Sequence, residues 1–213
     1  MKRVISHPVV FFLLWILVTM LGWSMGIFNL DRDAGTYSDT IRLLPIYFVD
    51  GLLIGLVVGI GQAFLLSTIS EAASSWVWVT ALGYAAAFFL GLVITVMIPA
   101  VAFGLRGNGF LPVVGPSTMT IYLNTDDLFW GAFLIGLMQW RVLRNIIPNP
   151  KPSYGILWMM GTWLSVGLTF LVRAFTHDTF WDGHQMSIVG MIMGVITAVI
   201  LLTSLKSSAS STV

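Results

Sequence analysis

The sequence lacks cysteine and is poor in charged residues. None of its 213 residues is Cys and only 9% are charged, whereas about a quarter of a soluble domain's residues are charged. The absence of Cys excludes disulfides, thiolate metal sites and thiol redox chemistry in this chain. The net charge of +1 and the lack of a sustained basic cluster argue against nucleic acid as a partner.

Long apolar segments dominate the rest of the chain, which has 57% hydrophobic residues and a mean hydropathy of +0.93. A transmembrane helix needs about 20 mostly apolar residues, and six segments are candidates: about 8–29, 46–67, 76–103, 128–147, 154–174 and 186–205. The first is longer than a signal-peptide core and lacks an Ala-x-Ala-like cleavage site, so we expect it to be retained. The sequence therefore predicts an all-α membrane protein, with six transmembrane helices in one integral membrane domain over 1–213.

The basic residues predict which side of the membrane each end faces. Six spans place both termini on one side, together with Lys2, Arg3, Arg141, Arg144, Lys151 and Lys206. The opposite loops hold Arg32, Arg42, Arg106 and Arg173. The positive-inside rule then favours cytoplasmic N- and C-termini in a multi-pass protein of the bacterial inner membrane. Of the acidic residues, only Glu71 lies on the N-terminal side, so the outer face is expected to be acidic.

A residue pattern recurs three times, once in each pair of apolar segments. In the first segment of each pair the copies are Trp15, Thr19, Gly22, Gly26; Trp76, Thr80, Gly83, Ala87; and Trp158, Thr162, Ser165, Thr169. In the second they are Gly55, Gly59, Gln62, Leu66; Ala132, Gly136, Gln139, Leu143; and Gly190, Gly194, Thr197, Leu201. The common spacing of 4, 3 and 4 keeps each set on one helix face. We expect three repeated helical hairpins, about 8–67, 76–147 and 154–205, in a bundle of approximate threefold symmetry.

The repeated positions have two possible roles. Small residues let transmembrane helices approach closely, so Gly55, Gly59, Gly136, Gly190 and Gly194 are predicted packing positions. The polar positions Gln62, Gln139 and Thr197 either hydrogen-bond across helix contacts or line a pore, although the predicted depths of Gln62 and Gln139 differ by roughly 4 Å. The Trp residues near helix ends suit an interfacial belt.

Ionisable groups and catalytic motifs are scarce in the predicted spans. Asp50 is expected at an outer end, and no ionisable group is expected deep in a span, which argues against an ion-coupled pump. Neither a metalloprotease motif, a Gly-x-Ser-x-Gly elbow nor a P-loop is present.

Five residues outside the predicted helix interiors are candidate ligands for a metal, a pigment or haem. The last outer loop could bind a metal, and His7 could ligate a pigment or haem. The loop candidates are His177, Asp178, Asp182 and His184.

The segment Gly136-Leu-Met-Gln139-Trp140-Arg-Val-Leu143-Arg144, with Trp158 after it, resembles a motif of bacterial membrane proteins of unassigned activity. These have repeated Gly-x-x-Gln-Trp-x-x-Leu-Arg helices and occur in cyanobacteria and related lineages. The similarity is best across 131–170. Other copies depart from it, with Ala63 in place of Trp, Ser67 in place of Arg and Thr197 in place of Gln. The resemblance implies a repeated membrane fold and carries over no functional residue or cofactor.

These observations lead to two functional hypotheses. The first is a non-catalytic membrane subunit or scaffold that packs into a larger membrane complex, for example an energy-transducing one, with the lipid bilayer and other membrane subunits as partners. The second is a passive channel or carrier for a small or amphipathic solute, with Gln62, Gln139 and Thr197 as its polar residues.

Overall fold

The computed structural model describes residues 7–25, 37–105, 125–147, 150–175 and 178–210, with side chains for 7–24, 45–94, 129, 131–147, 150–169, 171–172 and 186–208. These residues form six α-helices and one 3-10 turn, Glu71–Ala73, and no strand occurs among them. The helices are α1 Pro8–Met25, α2 Tyr37–Ser67, α3 Ser74–Leu105, α4 Thr125–Ile146, α5 Pro152–Phe175 and α6 Asp178–Ser210. The prediction of an all-helical chain is confirmed.

Two helices begin earlier than the apolar segments predicted. The loops expected near 30–45 and 175–185 are helical from Tyr37 and from Asp178 onward, and α2 continues through Pro45. Hydropathy detects only the apolar part of a helix. The polar first turns form the same i to i−4 backbone hydrogen bonds as the apolar part, so they are helical although hydropathy does not reveal them. Asp178, Asp182 and His184 therefore lie on a helix instead of in the predicted loop.

The six helices form a closed ring in chain order. Each helix packs against its neighbours in sequence, and α6 packs against α1 to complete the ring. Neighbouring helices are antiparallel, as shown by Gly55 against Ala81 and Gly59 against Val77. The start of α1 and the end of α6 therefore share one end of the bundle with the connections at 68–73 and 147–151. We call this the inner end.

The described side chains show apolar residues facing outward on every helix. Exposed large hydrophobic residues occur on all six helices, among them Leu13, Leu17, Leu53, Phe64, Trp78, Leu82, Phe133, Leu137, Ile156, Leu164, Met191 and Val195. The buried residues are also mostly hydrophobic, but they include Thr19, Asp50, Gln62, Thr80, Gln139, Thr162, Ser165, Thr169, Thr197, Ser204 and Ser208. Soluble proteins expose mainly charged and polar residues such as Lys, Glu and Arg. The apolar surface of these helices suits an apolar solvent instead.

Among the residues with described side chains, three helical segments are long and apolar enough to cross a membrane: Pro45–Ser67, Glu71–Ile94 and Met186–Ser208. Pro8–Ser24 is a shorter apolar helix. Three hydroxyl residues of α5, Thr162, Ser165 and Thr169, are buried. Their hydroxyls donate to carbonyls of the same helix at 2.9, 2.6 and 3.0 Å. These polar groups are therefore satisfied inside the bundle.

The interior contains two apolar clusters on either side of a polar layer. The outer cluster includes Trp23, Tyr84, Phe88, Ile135, Val166 and Met193. The inner cluster includes Phe11, Trp15, Leu66, Trp76, Leu143, Trp158 and Leu201. The hydroxyl and amide groups at the repeated positions lie between them.

Candidate functional site

Three tryptophans meet at the centre of the inner cluster. The ring centroids of Trp15 and Trp76 are 6.1 Å apart, those of Trp76 and Trp158 are 6.1 Å apart, and those of Trp15 and Trp158 are 6.5 Å apart. These separations are within the range of favourable aromatic pairs, and two of the pairs are edge-on. All three side chains are at most 1% exposed. We call this set the tryptophan triangle; it fills the centre of the bundle at this level.

Each tryptophan comes from an odd-numbered helix and is followed four residues later by a threonine. The Thr19 hydroxyl donates to the Trp15 carbonyl at 2.7 Å, and the Thr162 hydroxyl donates to the Trp158 carbonyl at 2.9 Å. Such bonds keep a hydroxyl satisfied within its own helix. The oxygen can also accept a hydrogen bond from a neighbouring helix.

Gln62 connects three helices through one amide. Its Nε2 donates to Thr19 Oγ1 on α1 at 2.9 Å, and its Oε1 accepts from Trp76 Nε1 on α3 at 3.0 Å. The side chain is 3% exposed. Gln62 therefore joins its own hairpin to the first helix of the next one.

Gln139 makes the same pair of contacts one hairpin further along. Its Nε2 donates to Thr80 Oγ1 on α3 at 3.2 Å, and its Oε1 accepts from Trp158 Nε1 on α5 at 3.2 Å. Together, the two glutamines supply acceptors for two of the three indole N–H groups in the tryptophan triangle.

Thr197 provides the third acceptor. Its Oγ1 accepts from Trp15 Nε1 at 3.0 Å and donates to the Met193 carbonyl at 2.7 Å. The structure thus brings Gln62, Gln139 and Thr197 to one level, around the triangle, although their predicted depths differed. All three are engaged in contacts between helices.

The five predicted packing glycines lie where one hairpin meets the next. A Cβ added at Gly55 would be 2.7 Å from Ala81 Cα, and one added at Gly136 would be 2.8 Å from Met159 Cα. Real Cβ atoms essentially never come within 3.0 Å of another heavy atom in this way. Gly59 packs on α3 in the same manner, and Gly190 and Gly194 pack on α1.

The interfacial position predicted for the tryptophans is wrong for all three repeated ones, Trp15, Trp76 and Trp158, which are buried. Trp15, Trp23, Trp76 and Trp158 are at most 1% exposed, whereas Trp78 is 64% exposed. An indole has a large apolar surface and one N–H donor, and here the acceptor for that donor is inside the protein. The sequence did contain a signal for this contact. Trp recurs in the first helix of each hairpin, and a hydrogen-bond acceptor, Gln62, Gln139 or Thr197, recurs in the second.

The outer cluster contains a second polar contact that sequence reasoning missed. Trp23 Nε1 donates to Tyr84 Oη at 3.0 Å, and Tyr84 Oη donates to Met193 Sδ at 3.1 Å. Asp50 is also buried, at 5% exposure, on the inward face of α2. The sequence had placed this carboxylate at the outer end of a span.

Of the predicted ligand candidates, His7 is the one whose side chain the structure describes. His7 is exposed immediately before α1, where its carbonyl accepts from Phe11 N at 3.0 Å. His177 lies outside the described residues, as do the side chains of Asp178, Asp182 and His184. Within the described part of the chain no group of three His, Cys, Asp or Glu residues could hold a metal ion. The metal and pigment hypotheses stay predictions.

Comparison of the chain with protein-family models, with curated proteins and with solved structures finds no match in any of the three. The arguments for function therefore come from the geometry described above.

Proposed function

We propose that this protein is a non-catalytic integral membrane subunit that crosses the bilayer six times and packs into a larger membrane complex. The observation that carries the proposal is the exposed apolar surface on all six helices, combined with buried polar groups that are hydrogen-bonded. Outward residues such as Leu53, Phe133 and Leu164 are apolar, and inward ones such as Gln62 and Thr162 are polar and hydrogen-bonded. Lipid offers no hydrogen bonds, so polar groups must be satisfied internally.

The proposal includes three repeated hairpins of approximate threefold symmetry. Its support is that corresponding residues make corresponding contacts. Trp76 donates to Gln62 as Trp158 donates to Gln139, and each glutamine donates to the threonine of its own hairpin. The proposal also includes the resemblance of 131–170 to bacterial membrane proteins with repeated helices. We further propose that the protein lies in the bacterial inner membrane with both termini cytoplasmic.

A structural subunit is favoured over a catalyst because the central polar groups are already engaged. The indole N–H groups of the triangle, both glutamine amides and Thr197 all bond to one another or to the backbone. The outward faces carry large apolar side chains, including Phe64 at 74% and Trp78 at 64% exposure. In a membrane such faces contact lipid or the helices of another subunit.

Gentle extraction tests the proposed role as a subunit. The tagged full chain is solubilised from its native membrane in a mild detergent, and its mass is measured under native conditions. We expect a defined heteromeric species that dissociates to the 23.4 kDa chain in a harsher detergent. A chain that is only monomeric, with or without prior cross-linking in the membrane, contradicts the proposal.

The alternative is a passive channel or carrier, and the closed ring of helices around a polar layer is the observation that favours it. The tryptophan triangle occupies the ring centre, so a solute could pass only after these rings separate. Gln139→Leu should then change solute flux in proteoliposomes while the helical content is kept. No flux through the wild-type protein, or equal flux through the variant, contradicts the transport hypothesis.

A further inference from the structure

The inner end of the bundle carries an unbalanced group of cations beside the α4–α5 connection. Arg141, Arg144 and Lys151 are exposed. Within the described residues none of them forms an ion pair, and Glu71, on the α2–α3 connection, is the only acidic residue at this end. We call these three side chains the basic patch. Its charge is available to an anionic partner.

The cations lie close to one another because α4 and α5 are in contact at this level. Arg141 and Arg144 are three residues apart and share one face of α4. The Trp140 indole lies directly against Gly155 of α5. The Lys151 carbonyl accepts from Tyr154 N at 2.9 Å, which fixes this residue at the first turn of α5. The connection is short, so the three charges belong to one surface.

The outward stripe of α4 changes from apolar to cationic along its length. Phe133 and Leu137 are 40% and 39% exposed, and Arg141 and Arg144 follow on the same face at helical spacing. On α5, the exposed Lys151 is followed by Ile156 at 59% exposure. An anionic phospholipid is complementary to this order: its apolar acyl chains match the exposed apolar side chains, and its charged headgroup matches the cations. This order distinguishes the surface from a site for a soluble anion.

The other inner connection lacks this feature. Phe64 and Ser67 occupy the repeat positions that correspond to Arg141 and Arg144, and both are exposed. The connection after them contains hydroxyl residues and Glu71. The basic patch is therefore absent from the α2–α3 connection, whereas a general cationic rim would include both inner connections.

We propose that the basic patch binds the phosphate of anionic phospholipids, with the acyl chains along the apolar stripes of α4 and α5. This inference rests on the proposed membrane location. Guanidinium groups bind phosphate oxygens through paired N–H donors, and long basic side chains extend to the headgroup level. Each basic residue near an anionic surface strengthens binding by about fivefold.

Native mass spectrometry of the full chain in detergent tests the inference, with phosphatidylglycerol and phosphatidylcholine of identical acyl chains as probes. We expect the wild type to prefer phosphatidylglycerol by about tenfold or more. The triple variant R141Q/R144Q/K151Q should bind both lipids within about twofold of each other. Lys206→Gln, which removes an exposed cation on α6, is the matched control and should keep the preference.

Several outcomes overturn the inference. Equal affinity of the wild type for both lipids does so, as does an unchanged preference in the triple variant. An equal loss in Lys206→Gln shows a diffuse charge effect and also overturns it. Competition by glycerol phosphate at the concentration of the lipid shows a soluble-phosphate site instead. Carbonate extraction separately tests membrane location: release of the chain contradicts the proposed function, whereas a retained chain without lipid preference contradicts only the basic patch.

Discussion

Replacing Gln62 by Met removes two hydrogen bonds between helices with little change in side-chain length. Gln62 donates to Thr19 at 2.9 Å and accepts from Trp76 at 3.0 Å. Methionine is unbranched and flexible, so it can fill the same space. In the variant, the Trp76 N–H loses its acceptor. Because the Gln62 side chain is only 3% exposed, this donor is buried.

The expected loss of stability follows from the two bonds. Hydrogen bonds between transmembrane helices contribute about 0.6 kcal/mol on average and about 1.7 kcal/mol at most. Gln62→Met should therefore lower the free energy of unfolding by about 1 to 3 kcal/mol. The ratio of folded to unfolded protein should fall by about 5- to 150-fold.

Reversible unfolding in mixed micelles, followed by circular dichroism, measures this change. A double-mutant cycle with Trp76→Phe isolates the Trp76 to Gln62 bond, because Phe has no N–H to leave unsatisfied. The coupling energy should be about 0.5 to 1.5 kcal/mol. Ser67→Ala is the control: this exposed residue of α2 donates only to the Phe64 carbonyl. A Gln62→Met variant as stable as the control, or a coupling energy of zero, refutes the reasoning.

Two further changes test the helix contacts and the outward faces. Gly136→Ala should lower stability by about 1 to 3 kcal/mol, because its Cβ would lie 2.8 Å from Met159 Cα. Gly167→Ala should be tolerated, since the nearest atom to its Cβ is 3.5 Å away; equal melting temperatures for the two variants contradict this. In vesicles, brominated lipid should quench Trp78, which is 64% exposed, but not Trp158, which is 1% exposed. Trp78→Phe should therefore reduce the quenching and Trp158→Phe should not; the reverse pattern contradicts the outward orientation of α3.

The helical class could be predicted from the sequence because the apolar segments are long and local in the chain. The spacing of small residues was also informative: Gly55 and Gly136 lie against the backbone of the next helix, where a Cβ would be too close. The length of an apolar segment and the spacing of its small residues can both be read along one helix. A single sequence therefore contains them directly.

The position of the tryptophans could not be predicted in this way. An indole near a helix end suits the membrane interface as well as a buried site with an acceptor. The choice depends on Gln62 lying beside Trp76, which requires α2 to pack on α3 across a hairpin boundary. Depth estimates counted from the ends of the apolar segments had the same weakness, because the level of Gln62 and Gln139 is set by their contacts with Trp76 and Trp158 on other helices.

The third hairpin differs from the other two at the residue that closes the ring. Thr197 accepts from Trp15, but its short side chain donates to the Met193 carbonyl of its own helix. Thr162, at the position of Thr19 and Thr80, donates to the Trp158 carbonyl, and within the described residues no hydrogen bond joins it to Thr197. An amide long enough to reach both sides is thus absent at this position of α6. Instead, α6 is joined to α1 by the hydrogen bond between the Ser24 and Ser187 hydroxyls at 2.8 Å, and by Gly190 and Gly194, which lie directly against the α1 backbone.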